Sequence, residues 1–407
     1  MDQDLIGIEE ARRRVLGCVR ALPAEPVALG DALGRVLAAE VAAEADVPGF
    51  DNSAMDGFAV RARDTASAPV ELEVVDESRA GHPATATLGS GQAIRISTGA
   101  LVPAGADAVV RVEDTEPGPN GRVQVDRRVD PGTSVRRAGE DVRAGQVLLG
   151  PGARLGPAEL GVLASVGLGR VPCAAQPRVA VLTTGDELVQ PGEPLRPGAI
   201  YDTNRVAVTA QARRAGAMVV DAQTLPDERG ATTDTLSRVL GADVVVVCGG
   251  VSVGPHDHVK DALRSLGVRE VFWGVALRPG KPTWFGVHER DGGRGLVFGL
   301  PGNPVSALVT FHLFARPALD ALQGADSDRR RVEAVMDADY AKAPGRAHVV
   351  RCRAEAREDG WHVRPTGAQG SHVLTSMLGA DALALLPAER ASVAAGERVL
   401  VELLGAG

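Results

Sequence analysis

Four short stretches of this 407-residue sequence set hydroxyl, carboxyl or cationic side chains beside glycine and proline, in patterns that suit phosphate and oxyanion chemistry. The first, Thr183-Thr184-Gly185-Asp186-Glu187, follows the apolar run Val179–Leu182. The second, Gly249-Gly250-Val251-Ser252-Val253-Gly254, follows Asp243–Cys248. In open parallel sheets ligands bind beyond the carboxyl ends of strands, where a glycine-rich backbone can turn its amides toward a phosphate. The same composition also makes a plain tight turn, so neither loop decides the matter alone. The third, Leu300-Pro301-Gly302-Asn303-Pro304-Val305-Ser306, puts Asn303 at an N-cap and Pro304 at the first helical position. That is either a capped helix or a helix N-terminus aimed at an anion. The fourth, Arg278-Pro279-Gly280-Lys281-Pro282, holds two cations three positions apart in a stiff loop, an oxyanion clamp or a solvated turn. Lys281 is no P-loop lysine, because the glycine spacing fails and Pro282 stands where Ser or Thr is needed.

Carboxylates accompany these loops. Asp56 lies in Ser53-Ala54-Met55-Asp56-Gly57-Phe58-Ala59 and Asp141 in Gly139-Glu140-Asp141-Val142. Asp186 and Glu187 sit in the first loop, Asp227 follows Pro226, and Asp257 follows the second glycine loop. Magnesium takes hard oxygen ligands, commonly one or two carboxylates plus substrate phosphates, so scattered loop acids beside phosphate loops fit it. With 52 acidic residues, most must simply be solvated. His256-Asp257-His258 lacks a third partner for a transition metal, and neither HExxH nor GxSxG occurs, which removes the zincin and α/β-hydrolase readings. The four cysteines, Cys18, Cys173, Cys248 and Cys352, show no CxxC spacing, and Cys248 reads as a small hydrophobe closing an apolar run.

The elements that must position these groups change character along the chain. Residues 5–21 read as a helix that Pro23 and Pro26 end. Residues 44–140, rich in Gly, Pro, Val and Thr with alternating runs such as Val70–Val74, read as a β-rich unit inserted into a helical one. The helical unit comprises 1–43 and 141–173 and includes a helix over Pro157–Val166. Residues 174–324 alternate strands (Val179–Leu182, Met218–Val220, Asp243–Cys248, Arg294–Phe298) with helices (Thr203–Ala215, Thr232–Leu240, Asp257–Leu266, Pro304–Leu322), which implies an α/β domain with a parallel sheet. Residues 325–407 hold short strands, Arg331–Met336, His348–Ala354, Trp361–Arg364, Ala382–Leu386 and Arg398–Leu404, suited to a C-terminal β-barrel.

Composition narrows the function. The net charge of −8 argues against a nucleic-acid partner, so an anion needs a local basic pocket. The lysines are Lys260, Lys281 and Lys342, against many arginines, which draws attention to each. The acidic N-terminus lacks an apolar signal region and no run of about 18 apolar residues is visible, so a cytoplasmic protein without a membrane span is expected.

Together the segments SAMDGFAV, RISTGALVPAGADAVVRVEDT, RRAGEDV, VAVLTTGDELV, YDTN, GGVSVGPHDHVK, LRPGKP, LPGNPVSAL and GAQGSHVL occur in an order, and over a span, that resembles the molybdopterin molybdenumtransferase family, which includes the C-terminal domain of gephyrin. The resemblance implies an elongated homodimer of four-domain subunits. It implies Mg2+-dependent cleavage of the pyrophosphate linkage of adenylylated molybdopterin, with insertion of molybdate and release of AMP and molybdenum cofactor. By the same resemblance Asp56, Asp141, Glu187, Asp227, Asp257 and Lys281 are catalytic, with Asp56, Glu187, Asp227 and Asp257 as magnesium ligands. Thr98, Thr184, Gly185, Gly249, Gly250, Ser252, Gly254, Pro301, Asn303 and Pro304 would hold pterin and phosphates. Arg278, Lys281, Ser306, Arg351 and Ser371 would hold molybdate. Asp56, far in sequence from the pterin loops, is expected to reach the partner subunit's site. Contacts with a molybdopterin adenylyltransferase and with acceptor molybdoenzymes are further implied partners. Leu101 departs from a usual proline, Pro255 and His256 from acid or small residues, and Arg278 from a frequent lysine, which changes a point charge into a planar fork. Two other readings stand beside this one, molybdopterin adenylylation and a non-catalytic, gephyrin-like scaffold.

Overall fold

The computed structural model describes residues 5–225, 228–250, 258–290, 293–326 and 331–405. Helix α1 (Ile8–Leu16) buries Ile8, Ala11, Arg12 and Val15, an i, i+3, i+4, i+7 stripe, against the core of the α/β domain. It is shorter than the 5–21 expected. Gly17 disfavours continuation by about 1 kcal/mol, and the Leu22 amide donates instead to the Leu322 carbonyl at 2.8 Å, which draws the chain out into a link.

Strands Ala24–Ala28 and Arg170–Ala174 pair antiparallel, Ala24 opposite Ala174, so the chain between them leaves and returns. Helix α2 (Pro157–Ser165) packs here over Val27, Leu37, Leu155 and Val171. The excursion carries a six-stranded sheet in the order Ala108–Arg111, Gly57–Val60, Gln92–Ile96, Val70–Ser78, Arg122–Val125, Thr115–Pro117. Two small cores on its faces, one around Phe58, Leu72 and Val110 and one around Ile94, Ile96 and Val109, make it rigid.

The α/β domain has a six-stranded sheet in the order Met218–Leu225, Arg178–Thr184, Val244–Cys248, Gly293–Leu300, Trp284–Arg290, Arg269–Trp273. The first four run parallel, as expected, but Trp284–Arg290 pairs antiparallel with both Gly293–Leu300 and the edge strand Arg269–Trp273, so one strand is reversed and the sheet is mixed. Val244–Cys248 is buried at every position, as a central strand covered on both faces must be. The covering helices are α3 (Thr203–Arg214), α4 (Arg229–Val239), α5 (His258–Ser265) and α6 (Pro304–Leu322). Helix α6 is long and apolar, and 94% of its most apolar stretch is buried inside the fold, which makes it a core helix.

The C-terminal strands Arg331–Met336, Ala347–Arg357, Gly360–Pro365, Ala382–Leu386 and Arg398–Leu403 close into a five-stranded barrel. A short strand of the preceding domain, Leu277–Arg278, adds to it in parallel, with Leu277 opposite Ala347 and Arg278 opposite His348. That ladder carries the Arg278–Lys281 loop to the barrel wall.

Candidate active site

Three loops leave one edge of the α/β sheet side by side, because Thr183 is in register with Cys248 and Cys248 with Leu300. The Gly249 amide donates to the Leu300 carbonyl at 2.9 Å. Gly249 and Gly250 have φ of +88° and +64°, and a Cβ on either would come within 2.8 and 3.0 Å of the Thr184 hydroxyl. Glycine is required here by conformation and by close approach together. Gly302 completes the cluster, since a Cβ on it would stand 3.9 Å from the Gly249 Cα. The Glu187 carboxylate folds back over Gly185, whose added Cβ would lie 2.5 Å from Oε2, and the side chain is exposed at the mouth of the loops. Thr184, Gly185, Glu187, Gly249, Gly250, Pro301, Asn303 and Pro304 are therefore gathered at one sheet edge. Ser252, Gly254, Asp227 and Asp257 lie outside the described residues.

The YDTN segment supports these loops from below. Asp202 is 1% exposed and N-caps α3, accepting from the Arg205 amide at 3.0 Å. It also accepts from the Thr183 hydroxyl at 2.5 Å and the Thr224 hydroxyl at 3.1 Å, which fixes two neighbouring strand ends. Asn204 donates from Nδ2 to the Gly302 carbonyl at 2.6 Å.

Asn303 occupies the N-cap of α6 as expected, yet its side chain makes no cap hydrogen bond. Its Nδ2 donates instead to the Ser371 hydroxyl at 3.1 Å, and the Val305 amide donates to the Ser371 carbonyl at 3.2 Å. The barrel thus supplies an acceptor that the helix end lacks. Gly280, at φ +117°, lets the Arg278–Lys281 loop close onto α6, where an added Cβ would meet the Thr310 methyl at 2.4 Å. Ser306 is buried in the first turn of that helix, and Lys281 is exposed on the loop.

Between this loop and the barrel lies a cavity of about 350 Å3 whose walls include Arg278, Tyr340, Lys342, His348, Arg351 and Gln369. No carboxylate is among its lining residues. Arg351 is 1% exposed and is aimed by donating from Nε to the Ser376 hydroxyl at 3.1 Å and from a terminal nitrogen to the carbonyls of Ala368 and Gly370 at 3.3 and 3.2 Å. Lys342 donates to the carbonyls of Ala343, Arg346 and Ala388 at 3.1 to 3.4 Å. Burial pulls the Lys342 ammonium and the Arg351 guanidinium below their ordinary values and pushes the Tyr340 hydroxyl up. His348 falls to about 4, through burial first and then Lys342, Arg278 and Arg346. A cluster of unneutralised cations in a low-dielectric wall is an anion site.

A larger cavity of about 650 Å3 lies on the barrel's flank, but Arg357 and His362 there are already paired with Asp337 at 2.7 and 2.8 Å. Its basic side chains are therefore partly neutralised by Asp337 and Glu355, unlike those of the smaller cavity. The buried Cys248 thiol is pushed up by desolvation, in keeping with a packing role.

The remaining predicted acids stand apart. Asp56 is exposed in the inserted sheet, where Oδ1 accepts from the Thr98 amide at 2.7 Å and its hydroxyl at 3.1 Å. Asp141 is exposed at the neck of the insertion, its amide donating to Val47 at 3.0 Å. Among the described residues no three His, Cys, Asp or Glu side chains form a metal-holding group. Tyr340 and His348 are not marked in the sequence, and Asp202 and Asn204 lie within YDTN with nothing to single them out. The scarcity of lysine flagged Lys342; His348 gave no local signal.

This arrangement sets strand-end loops against a cationic barrel wall, and comparison with known proteins identifies an enzyme of molybdenum cofactor biosynthesis. Residues 6–167 match the MoeA N-terminal region (domain I and II), 180–321 a probable molybdopterin binding domain, and 333–404 the MoeA C-terminal region (domain IV). The chain is 38% identical to the molybdopterin molybdenumtransferase of Haemophilus influenzae over 98% of both proteins. It is 40% identical to molybdopterin molybdenumtransferase 2 of Mycobacterium tuberculosis over 97% of this chain and 98% of that one. The crystal structure of the molybdopterin biosynthesis moeA protein of Pyrococcus horikoshii OT3 superposes with a TM-score of 0.82 at 31% identity, covering 98% of this chain and 100% of that one. The chain belongs to the molybdopterin molybdenumtransferase family.

Proposed function

We propose that the enzyme binds adenylylated molybdopterin across the three strand-end loops, binds molybdate in the cationic pocket, and cleaves the pyrophosphate linkage to release AMP and molybdenum cofactor. The observation that supports this most is the seam at Ser371, whose hydroxyl and carbonyl hold Asn303 and the Val305 amide of the sheet-edge loop. The same barrel loop is held by Arg351, which donates to the Gly370 carbonyl at 3.2 Å. A pterin phosphate and a metal oxyanion would therefore meet at one boundary.

The Gly249–Gly250 backbone and the start of α6 present amides and a helix N-terminus to phosphate oxygens. Arg278, Lys281 and Arg351 offer donors to a tetrahedral dianion. Glu187, Asp56, Asp227 and Asp257 are hard-oxygen groups suited to magnesium, which commonly takes one or two carboxylates together with substrate phosphate. Bound magnesium would neutralise the pyrophosphate charge. Asp56 and Thr98 bond each other on the inserted sheet, and a homodimer would let that acid act at the partner's loops. A cytoplasmic setting and docking to a molybdopterin adenylyltransferase or an acceptor molybdoenzyme belong to the same reading.

The decisive assay is AMP release from adenylylated molybdopterin with magnesium, with and without molybdate. Molybdate-dependent release, lost in Asp56→Asn and Lys281→Ala, is expected. No release from folded protein would favour a scaffold. Mixed dimers of Asp56→Asn and Lys281→Ala protomers should regain activity, and none regained would sink the shared site.

A further inference from the structure

His348 has no part in the reading above. It is 7% exposed, stands on the barrel strand Ala347–Arg357, and lines the cationic cavity. Its ring nitrogens have no hydrogen-bond partner among the described residues. A ligand in the cavity would find the ring free to offer it a hydrogen bond. The groups around it are known from every side. Arg278 is its neighbour on the added strand, and Leu386 its apolar neighbour on the other. Tyr340 stands edge-on with ring centres 6.4 Å apart. Lys342 and Arg346 act from the adjoining segment, and Arg351 lies on its own strand and lines the same cavity. No carboxylate faces it; Glu389 acts on Lys342.

We propose that His348 is the proton-linked specificity residue of the oxyanion pocket, neutral while the pocket is empty and protonated when a tetrahedral dianion enters, then donating an N–H to an anion oxygen. This rests on the reading of the pocket as the oxyanion site. Three permanent cations in a small cavity oppose a fourth positive charge, and burial adds to that opposition. A dianion reverses the local field. The step balances as neutral imidazole plus one proton plus dianion giving an imidazolium–dianion pair, with no bond in the anion broken. A monoanion brings half the compensating charge and a neutral ligand none, so proton uptake favours dianions. Above a pH of about 4, the value held by the empty site, and below the value of the loaded site, dianion affinity falls about tenfold per pH unit.

The test is calorimetric titration of molybdate into the full-length protein between pH 6.5 and 8, in PIPES and in Tris, whose ionisation enthalpies differ. The wild type should take up close to one proton per site at the lower end and weaken as pH rises. His348→Gln should bind with a flat pH profile and no uptake. Binding without uptake in the wild type, or uptake unchanged in His348→Gln, overturns the proposal alone. If molybdate does not bind, or binds as well to both Arg278→Gln and Arg351→Met, the oxyanion pocket and this proposal fall together. The wild-type measurement stands whether or not a variant folds.

Discussion

Replacing Glu402 by Gln should loosen the chain where three domains meet. Its Oε1 accepts from Arg12 of α1 at 2.5 Å and from Arg331 at 2.9 Å, while Oε2 lies 3.1 Å from His312 of α6. Arg12, His312 and Glu402 are each no more than 5% exposed. Desolvation would raise the carboxyl, but the His312 hydrogen bond and the charges of Arg12, His312 and Arg331 outweigh it and hold it at about 2, against an ordinary 4.5. That depression corresponds to about 3 kcal/mol. A depressed carboxyl stabilises fully above the unfolded value and loses its contribution as pH falls through about 2. Gln keeps the shape but removes the carboxylate charge that Arg12, His312 and Arg331 share, a loss of about 3 kcal/mol. Urea unfolding at pH 7 should shift to a lower midpoint, and hydrogen exchange should quicken in Ile8–Leu16 and Arg398–Leu403 together. The gap from wild type should narrow as pH falls from 4.5 toward 2. A variant within about 0.5 kcal/mol of wild type at pH 7 would refute the reasoning, because that is the range of an uncoupled surface change.

Gly57→Ala places a Cβ 1.9 Å from the Val110 carbonyl oxygen, so the inserted sheet should lose about 3 kcal/mol, read as early melting of that domain. Asp202→Ala removes the acceptor shared by the Thr183 and Thr224 hydroxyls and the Arg205 amide; at about 1 kcal/mol for each lost bond, it should lower thermal stability clearly. Lys281→Ala, at an exposed position, should change stability by less than about 0.5 kcal/mol while weakening molybdate binding about tenfold by calorimetry. Chelation of divalent metal should stop AMP release and added magnesium should restore it, and release that persists in the chelator would refute the role of magnesium.

Much of the fold was legible because its signals are local. Val244–Cys248 is an unbroken apolar run, and a run that short between glycine-bearing turns makes a strand buried on both faces. Other features depend on partners that no window of sequence contains. Trp284–Arg290 becomes a strand by pairing back on Gly293–Leu300, Arg290 opposite Gly293, which turns an expected parallel sheet into a mixed one. Helix α6 reads as continuous from Pro304 to Leu322, yet Pro317 has no amide for the Leu313 carbonyl, and the helix widens into a π-turn over Phe311–Ala315 just ahead of it.

The site divides along the same line. Thr184, Gly249 and Asn303 announce themselves because each follows a strand or opens a helix, and parallel register alone brings such positions to one edge. The cationic pocket has no comparable local mark. Arg278 and His348 are brought together by a two-residue ladder between domains, and Arg351 is aimed by carbonyls of Ala368 and Gly370. Charge in sequence says nothing about whether a cation will find a carboxylate, and that is what separates this pocket from the larger cavity on the barrel flank. Arg357 has Asp337 within 2.7 Å, whereas Arg278, Lys342 and Arg351 line a wall with no acid at all. The unneutralised field, rather than the number of basic residues, makes the smaller cavity the place where an oxyanion is held.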